Sequence, residues 1–174
     1  MKLRWWYGIV INLILAALVV SGAAFYVIHF KNREKSNDET GEKLRQSLLV
    51  IKDQDSGKVY GKWPLEEGDE FSIEFVHSVN KTPVRDFFKN EGGMIHPFAT
   101  RFYSLGAGMQ SVLEEGQTLS RDGDALVITG FTVSFKELYY IVGTVSDHLL
   151  EINGETVSLR DLCGRNAHIT LYIE

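Results

Sequence analysis

The 174-residue sequence predicts an all-β domain, a sandwich or barrel of about nine short strands, preceded by one N-terminal transmembrane helix. Three observations predict it. Gly8 to Phe30 is an apolar run without Lys, Arg, Asp or Glu. From Ser47 onward, short β-rich segments alternate with turn residues. No long amphipathic helical pattern comes after the apolar run.

A helix of the Gly8–Phe30 run, at about 1.5 Å per residue, crosses a hydrocarbon core roughly 30 Å thick. Trp5, Trp6 and Tyr7 at one end and Tyr26 near the other stand where an aromatic belt is expected. The alternative is a cleaved secretory signal, with Lys2 and Arg4 as its basic start and Ser21-Gly22-Ala23 as its small-residue exit. The apolar run continues through Tyr26, Val27 and Ile28, which suits an uncleaved anchor over residues 1–30. Lys31, Arg33 and Lys35 after the span slightly outnumber the basic residues before it, which favours a cytoplasmic domain. A signal-like segment, however, normally exports the chain behind it. The expected location is therefore the cell membrane, single-pass, with an extracytoplasmic domain, or secreted if the leader is cut. Residues 31–46 are almost wholly polar and read as a stalk.

The domain is then 47–174. Leu48 to Ile51 makes a first strand, the turn cluster Asp53 to Gly57 ends it, and Lys58-Val59-Tyr60 resumes extended pattern. Phe71, Ile73 and Phe75 alternate with polar partners at the period of a strand with one buried face. Val84–Phe88, Thr100–Ser104, Ala125–Thr129, Thr132–Phe135 and Tyr139–Val145 are further candidates. Asn153-Gly154 between two extended runs supplies the paired positive-φ residues of a type I′ hairpin. His168 to Ile173 closes the chain as a strand. Leu159–Gly164 and Gly108–Glu115 are candidate helical turns.

Of 18 Lys and Arg, only Lys2 and Arg4 precede Lys31, leaving 16 against 23 Asp and Glu, a net charge of −7. That balance argues against nucleic acid and against adhesion to anionic lipid. A single cysteine, Cys163, excludes an internal disulfide, so the fold rests on its core.

Two segments are costly for plain strands: Phe71 to Lys89 and Phe102 to Met109. They carry Phe71, Phe75, His77-Ser78-Val79, Thr82-Pro83-Val84 and Asp86, then Tyr103-Ser104-Leu105 and Gly106-Ala107-Gly108. In this the chain resembles the DUF1850 family of uncharacterised bacterial proteins over roughly Leu48 to Asp161. It departs from that pattern at Asp86, where Glu is commoner, and at Gln110, where Pro is frequent. The resemblance implies a small exported or membrane-anchored β domain, often encoded beside TRAP transporters of the TAXI subclass. It therefore implies a role accessory to solute transport.

Candidate binding residues are His77, Ser78, Thr82, Asp86, Tyr103, Gly106 and Gly108. His77 shares parity with Phe71, Ile73 and Phe75 and is expected to face the core, with Ser78 opposite. If Asp86 returns on a neighbouring strand, a His77–Asp86 bond would fix the imidazole tautomer. That pair would be a polar latch or one wall of a ligand pocket. Gly106-Ala107-Gly108 reads as a tight turn or a close backbone approach, and lacks the Gly-Lys-Ser/Thr of a phosphate loop.

Adjacent strand positions point to opposite faces, so His77 and Ser78 cannot act on each other as base and nucleophile. His96 or His148 would have to serve Ser78 from a distance. Asp53-x-Asp55-x-Gly57 matches the start of a calcium loop but lacks its downstream Glu. Neither paired Cys nor an H-E-x-x-H spacing marks a zinc site. The expectation is a membrane-anchored accessory or binding domain with no cofactor or metal. The alternative is a small-ligand-binding or hydrolytic domain centred on His77, Ser78 and Asp86.

Overall fold

The computed structural model describes residues 46–105 and 112–174. The anchor expected over 1–30, nearly all of the stalk, Gly106 and Gly108 lie outside the described residues. Among the described residues no helix is long and apolar enough to cross a membrane.

Gln46–Glu174 forms a compact unit, whose described residues make eleven strands. These are β1 (Leu48–Asp53), β2 (Val59–Pro64), β3 (Glu70–Val76), β4 (Pro83–Glu91), β5 (Met94–Phe102), β6 (Thr118–Asp122), β7 (Ala125–Thr129), β8 (Glu137–Ile141), β9 (His148–Ile152), β10 (Glu155–Ser158) and β11 (His168–Ile173). One short helix, α1 (Leu159–Cys163), precedes β11.

Two antiparallel sheets result, ordered β2-β1-β11-β8 and β10-β9-β3-β4-β5-β7-β6. Each order has two ends, so neither sheet closes on itself. Of the two expected architectures, the barrel is therefore not formed. The main core fills the space between the sheets: Leu49, Ile51, Ile169 and Leu171 on one side, Phe71, Ile73, Phe88, Leu150 and Ile152 on the other. A second cluster, Val84, Phe102 and Ile128, continues it towards β7. Burying a side chain of this size stabilises by about 1.5–3 kcal/mol, and the sum must offset the chain's conformational entropy.

The alternation in β3 works as expected. Phe71, Ile73 and Phe75 face the core, opposite Phe88, Asp86 and Val84 of β4 and Ile152, Leu150 and His148 of β9. At the Asn153-Gly154 hairpin φ is 53° and 77°, the left-handed pair a type I′ turn requires.

Other expectations are corrected. β5 begins at Met94 and ends at Phe102, because Pro97 is accommodated where the β4–β5 register slips between Phe87 and Phe88. A bulge is one of the few strand positions that tolerate proline. β6 is exposed along its whole length, so no apolar alternation announces it. Thr132–Phe135 is not a strand; only Phe135 bridges back, to Ile95. β8 stops at Ile141, where Val142 N–H turns to the Ala167 carbonyl. Residues 112–115 are not helical.

The expected turn at 159–164 is α1. Ser158 caps it, its hydroxyl accepting from Asp161 N–H at 3.0 Å. Asp147 supports the cap, accepting from the Ser158 hydroxyl at 2.5 Å and from Arg160 N–H at 3.0 Å. Burial opposes the Asp147 charge, yet those bonds hold its carboxyl below the usual range.

Candidate functional site

The registers of β9, β3, β4, β5 and β7 place one end of each at the same end of the seven-stranded sheet. His148, Phe75, Val84, Phe102 and Leu126 stand there side by side. From this end project residues 77–82, the start of the segment after Phe102, and 142–147. The 77–82 part of the first motif half and the described start of the second, Tyr103 to Leu105, therefore meet here, and the hydroxyls of Thr82 and Ser104 share a hydrogen bond of 3.4 Å.

β3 ends at Val76, and His77 lies just beyond it, half-buried. Its N–H donates to the Thr82 carbonyl at 2.9 Å, and its carbonyl accepts from Lys81 N–H at 3.0 Å. The imidazole Nδ1 accepts from the N–H groups of Val79 and Asn80, each at 3.3 Å. The ring caps its own loop, in the way an Asx side chain caps a turn. This corrects the expected core-facing role: strand parity does not carry past the last strand residue. Ser78 is exposed.

Asp86 does return on the neighbouring strand, but not to His77. It faces the core between Ile73 and Thr100. Thr100 Oγ1 donates to Oδ1 at 2.8 Å and the Tyr140 hydroxyl to Oδ2 at 3.3 Å. Tyr140 belongs to β8 of the other sheet, so this carboxylate ties the two sheets together. Burial pushes the Asp86 carboxyl above its ordinary value and the Tyr140 phenol well above its own.

The histidine among aromatics is His148, which is 9% exposed. It stacks on Phe75 at 5.0 Å and meets Tyr140 edge-on at 5.9 Å. Its Nδ1 accepts from Gly143 N–H at 3.1 Å. Burial drives its pKa down, so the ring is held neutral. It does not reach Ser78.

On the outer face of the sheet, Arg85 Nε donates to Glu74 at 2.8 Å while both its terminal nitrogens contact Glu151. Arg101, opposite Arg85, pairs with Asp122 at 3.1 Å, and its guanidinium lies 6.0 Å from the Tyr103 ring. Arg101 Nε is buried without a partner. Glu74, Pro83, Arg85, Phe87, Arg101 and Tyr103 line an open depression of about 330 Å³. Two motif residues, Pro83 and Tyr103, thus border a feature to which Arg85 and Arg101 contribute. Sequence reading missed both arginines. Their outward parity against Phe88 and Phe102 was the available signal.

Ser134 Oγ lies 3.0 Å from His96 Nδ1, but Glu91 approaches the same nitrogen at 3.3 Å. A serine and its orienting carboxylate need opposite ring nitrogens, so this is no relay. The Asp53-x-Asp55-x-Gly57 run is a turn: Asp53 accepts from Ser56 N–H at 2.8 Å and from its hydroxyl at 2.7 Å. Those bonds bring its carboxyl down to about 2. No group of three or more His, Cys, Asp or Glu suited to a metal ion occurs among the described residues. Burial raises the Cys163 thiol to about 11, which leaves it an unreactive packing residue at neutral pH.

The family profile described as Domain of unknown function (DUF1850) matches residues 71–159, just over half of the chain. The chain belongs to that family. The DUF1850 match begins at the strand that leads into His77 and ends as α1 begins, so it takes in all three projecting segments. β1, β2 and β11 fall outside it. No curated protein and no solved structure matches the chain.

Proposed function

We propose that this DUF1850 domain is a non-catalytic binding module, held by its N-terminal span at the extracytoplasmic face of the cell membrane. In this reading it is accessory to a solute transporter of the TRAP-TAXI type. One observation carries the binding role: the Thr82 loop of the first motif half and the Tyr103-Ser104 start of the second come together at one end of the sheet, joined by Thr82 and Ser104. Neither half supplies a nucleophile with a base. His77 is spent on its own loop, Asp86 on Thr100 and Tyr140, and Ser78 stands exposed. The apolar run Gly8–Phe30 and the polar stretch to residue 46 support the tether. The test is affinity purification of the full chain from detergent-solubilised membranes. A transporter subunit should be retained in stoichiometric amount; consistent absence of any such subunit removes the accessory role.

A further inference from the structure

We infer that the motif end of the domain is a docking surface for a partner protein in the aqueous phase, one whose own contact face is apolar at its centre and rimmed by carboxylates. The inference rests on the binding-module reading and adds the surface and the chemistry of what it meets.

The two ends of the long sheet differ in kind. The chain enters the domain at Gln46, and the Ser47 carbonyl accepts from Leu65 N–H at 2.9 Å. The Leu65 carbonyl in turn accepts from Asn90 Nδ2 at 2.8 Å, near the finish of β4. The motif end lies at the start of β4, eight residues before its finish at Glu91, or about 26 Å at ~3.3 Å per residue. The entry end carries Glu66, Glu67, Asp69, Glu70 and Glu91, and the exposed large apolar side chain placed there is Phe135, 39% exposed and bridged to Ile95, which pairs with Asn90.

At the motif end the composition reverses. Val76, Val79, Tyr103, Leu105 and Val145 are 41%, 62%, 42%, 57% and 86% exposed. Ser146 Oγ donates to the Val76 carbonyl at 3.1 Å, which sets the Val145 loop beside the end of β3. Thr82 and Ser104 bring the other two segments together. Lys81 is exposed in the same loop as Val79, and Arg165, also exposed, donates to the Thr144 carbonyl next to Val145. Singly exposed apolar side chains are ordinary, but five converging at one end of a single sheet form a patch.

Two features select a protein occupant with acidic groups. The patch is flanked by cations on a domain that is otherwise acidic, so complementarity asks for carboxylates around an apolar centre. Arg101, on the wall of the adjoining depression and 39% exposed at its side chain, adds a third cation beside Tyr103, shared with Asp122. A second copy fits poorly: patch against patch opposes like charges, and the acidic entry end offers one exposed apolar side chain, Phe135, against the five of the patch.

The experiment places a benzophenone photo-crosslinker in the full chain, in its native membrane, at Val79, at Val145 or, as control, at Glu67. The result expected is one protein adduct from both patch positions and none from Glu67. Mass spectrometry of that adduct should map the cross-link to an aqueous-exposed segment bearing Asp or Glu beside apolar residues. Combining Lys81→Glu with Arg165→Glu, both exposed, should lower its yield on the order of tenfold. An adduct of twice the chain mass, a lipid adduct, no adduct, or one indifferent to the charge reversal overturns the inference. Adducts from Glu67 alone overturn it while leaving the binding-module reading intact. Loss of the transporter subunit from the affinity purification, with patch adducts retained, overturns only the transporter reading.

Discussion

Replacing Asp86 separates a structural carboxylate from a functional one. Its oxygens accept from Thr100 and Tyr140, which come from different sheets. Asp86→Ala leaves both hydroxyls without their acceptor, at about 1–3 kcal/mol each, so the loss should be about 2–6 kcal/mol. Asp86→Asn keeps a carbonyl acceptor and removes the buried charge. The sign of its pH dependence comes from burial. The folded carboxyl is raised above its unfolded value of about 3.9, so its contribution is fully present below that pH and is lost as pH rises through the folded value. Urea unfolding of the detergent-solubilised full chain, monitored by strand circular dichroism, reads both variants. The stability of Asp86→Asn relative to wild type should rise between about pH 4 and 7 and end within about 1 kcal/mol of it or above. Asp86→Ala should remain the least stable throughout. A wild-type advantage over Asn that grows with pH would refute the assignment of a buried, charge-disfavouring tie.

Three further outcomes rest on local geometry. A Cβ on Gly143 would stand 2.2 Å from the Ser146 carbonyl oxygen, so Gly143→Ala should cost about 1–3 kcal/mol in the same unfolding assay and displace His148. His77→Ala should lose about 0.5–2 kcal/mol of loop-cap stability while His77→Asn recovers most of it, both measured by unfolding; an Asn variant that folds but loses partner retention would give the imidazole a direct role. Ser158→Ala should cost about 1 kcal/mol and expose the α1 amides to hydrogen exchange.

Where apolar alternation is strict, the fold was legible. Phe71-Ile73-Phe75 announces β3 and its buried face, and Asn153-Gly154 announces the β9–β10 turn, because each is decided within a few residues. β6 carries no such signal, since an edge strand exposed throughout needs no alternation. The early half of β5 was hidden by Pro97, which only a bulge in its pairing with β4 admits. Of the site, the meeting of Thr82 with the Tyr103-Ser104 segment is implied by the motif's two halves. The partners of Asp86 are not, since Tyr140 reaches it from a distant strand of the other sheet. Extending strand parity one residue past Val76 misplaced His77, and the inward histidine lies at 148 instead.

The most direct measurement compares wild type, Ser78→Ala and the double variant Val79→Asp with Val145→Asp for retention of a transporter subunit on the full chain from solubilised membranes. A binding module without chemistry should show equal retention by wild type and Ser78→Ala and loss by the double variant, with its unfolding curve unchanged. Retention by the double variant, or cellular function abolished by Ser78→Ala with retention intact, would contradict it.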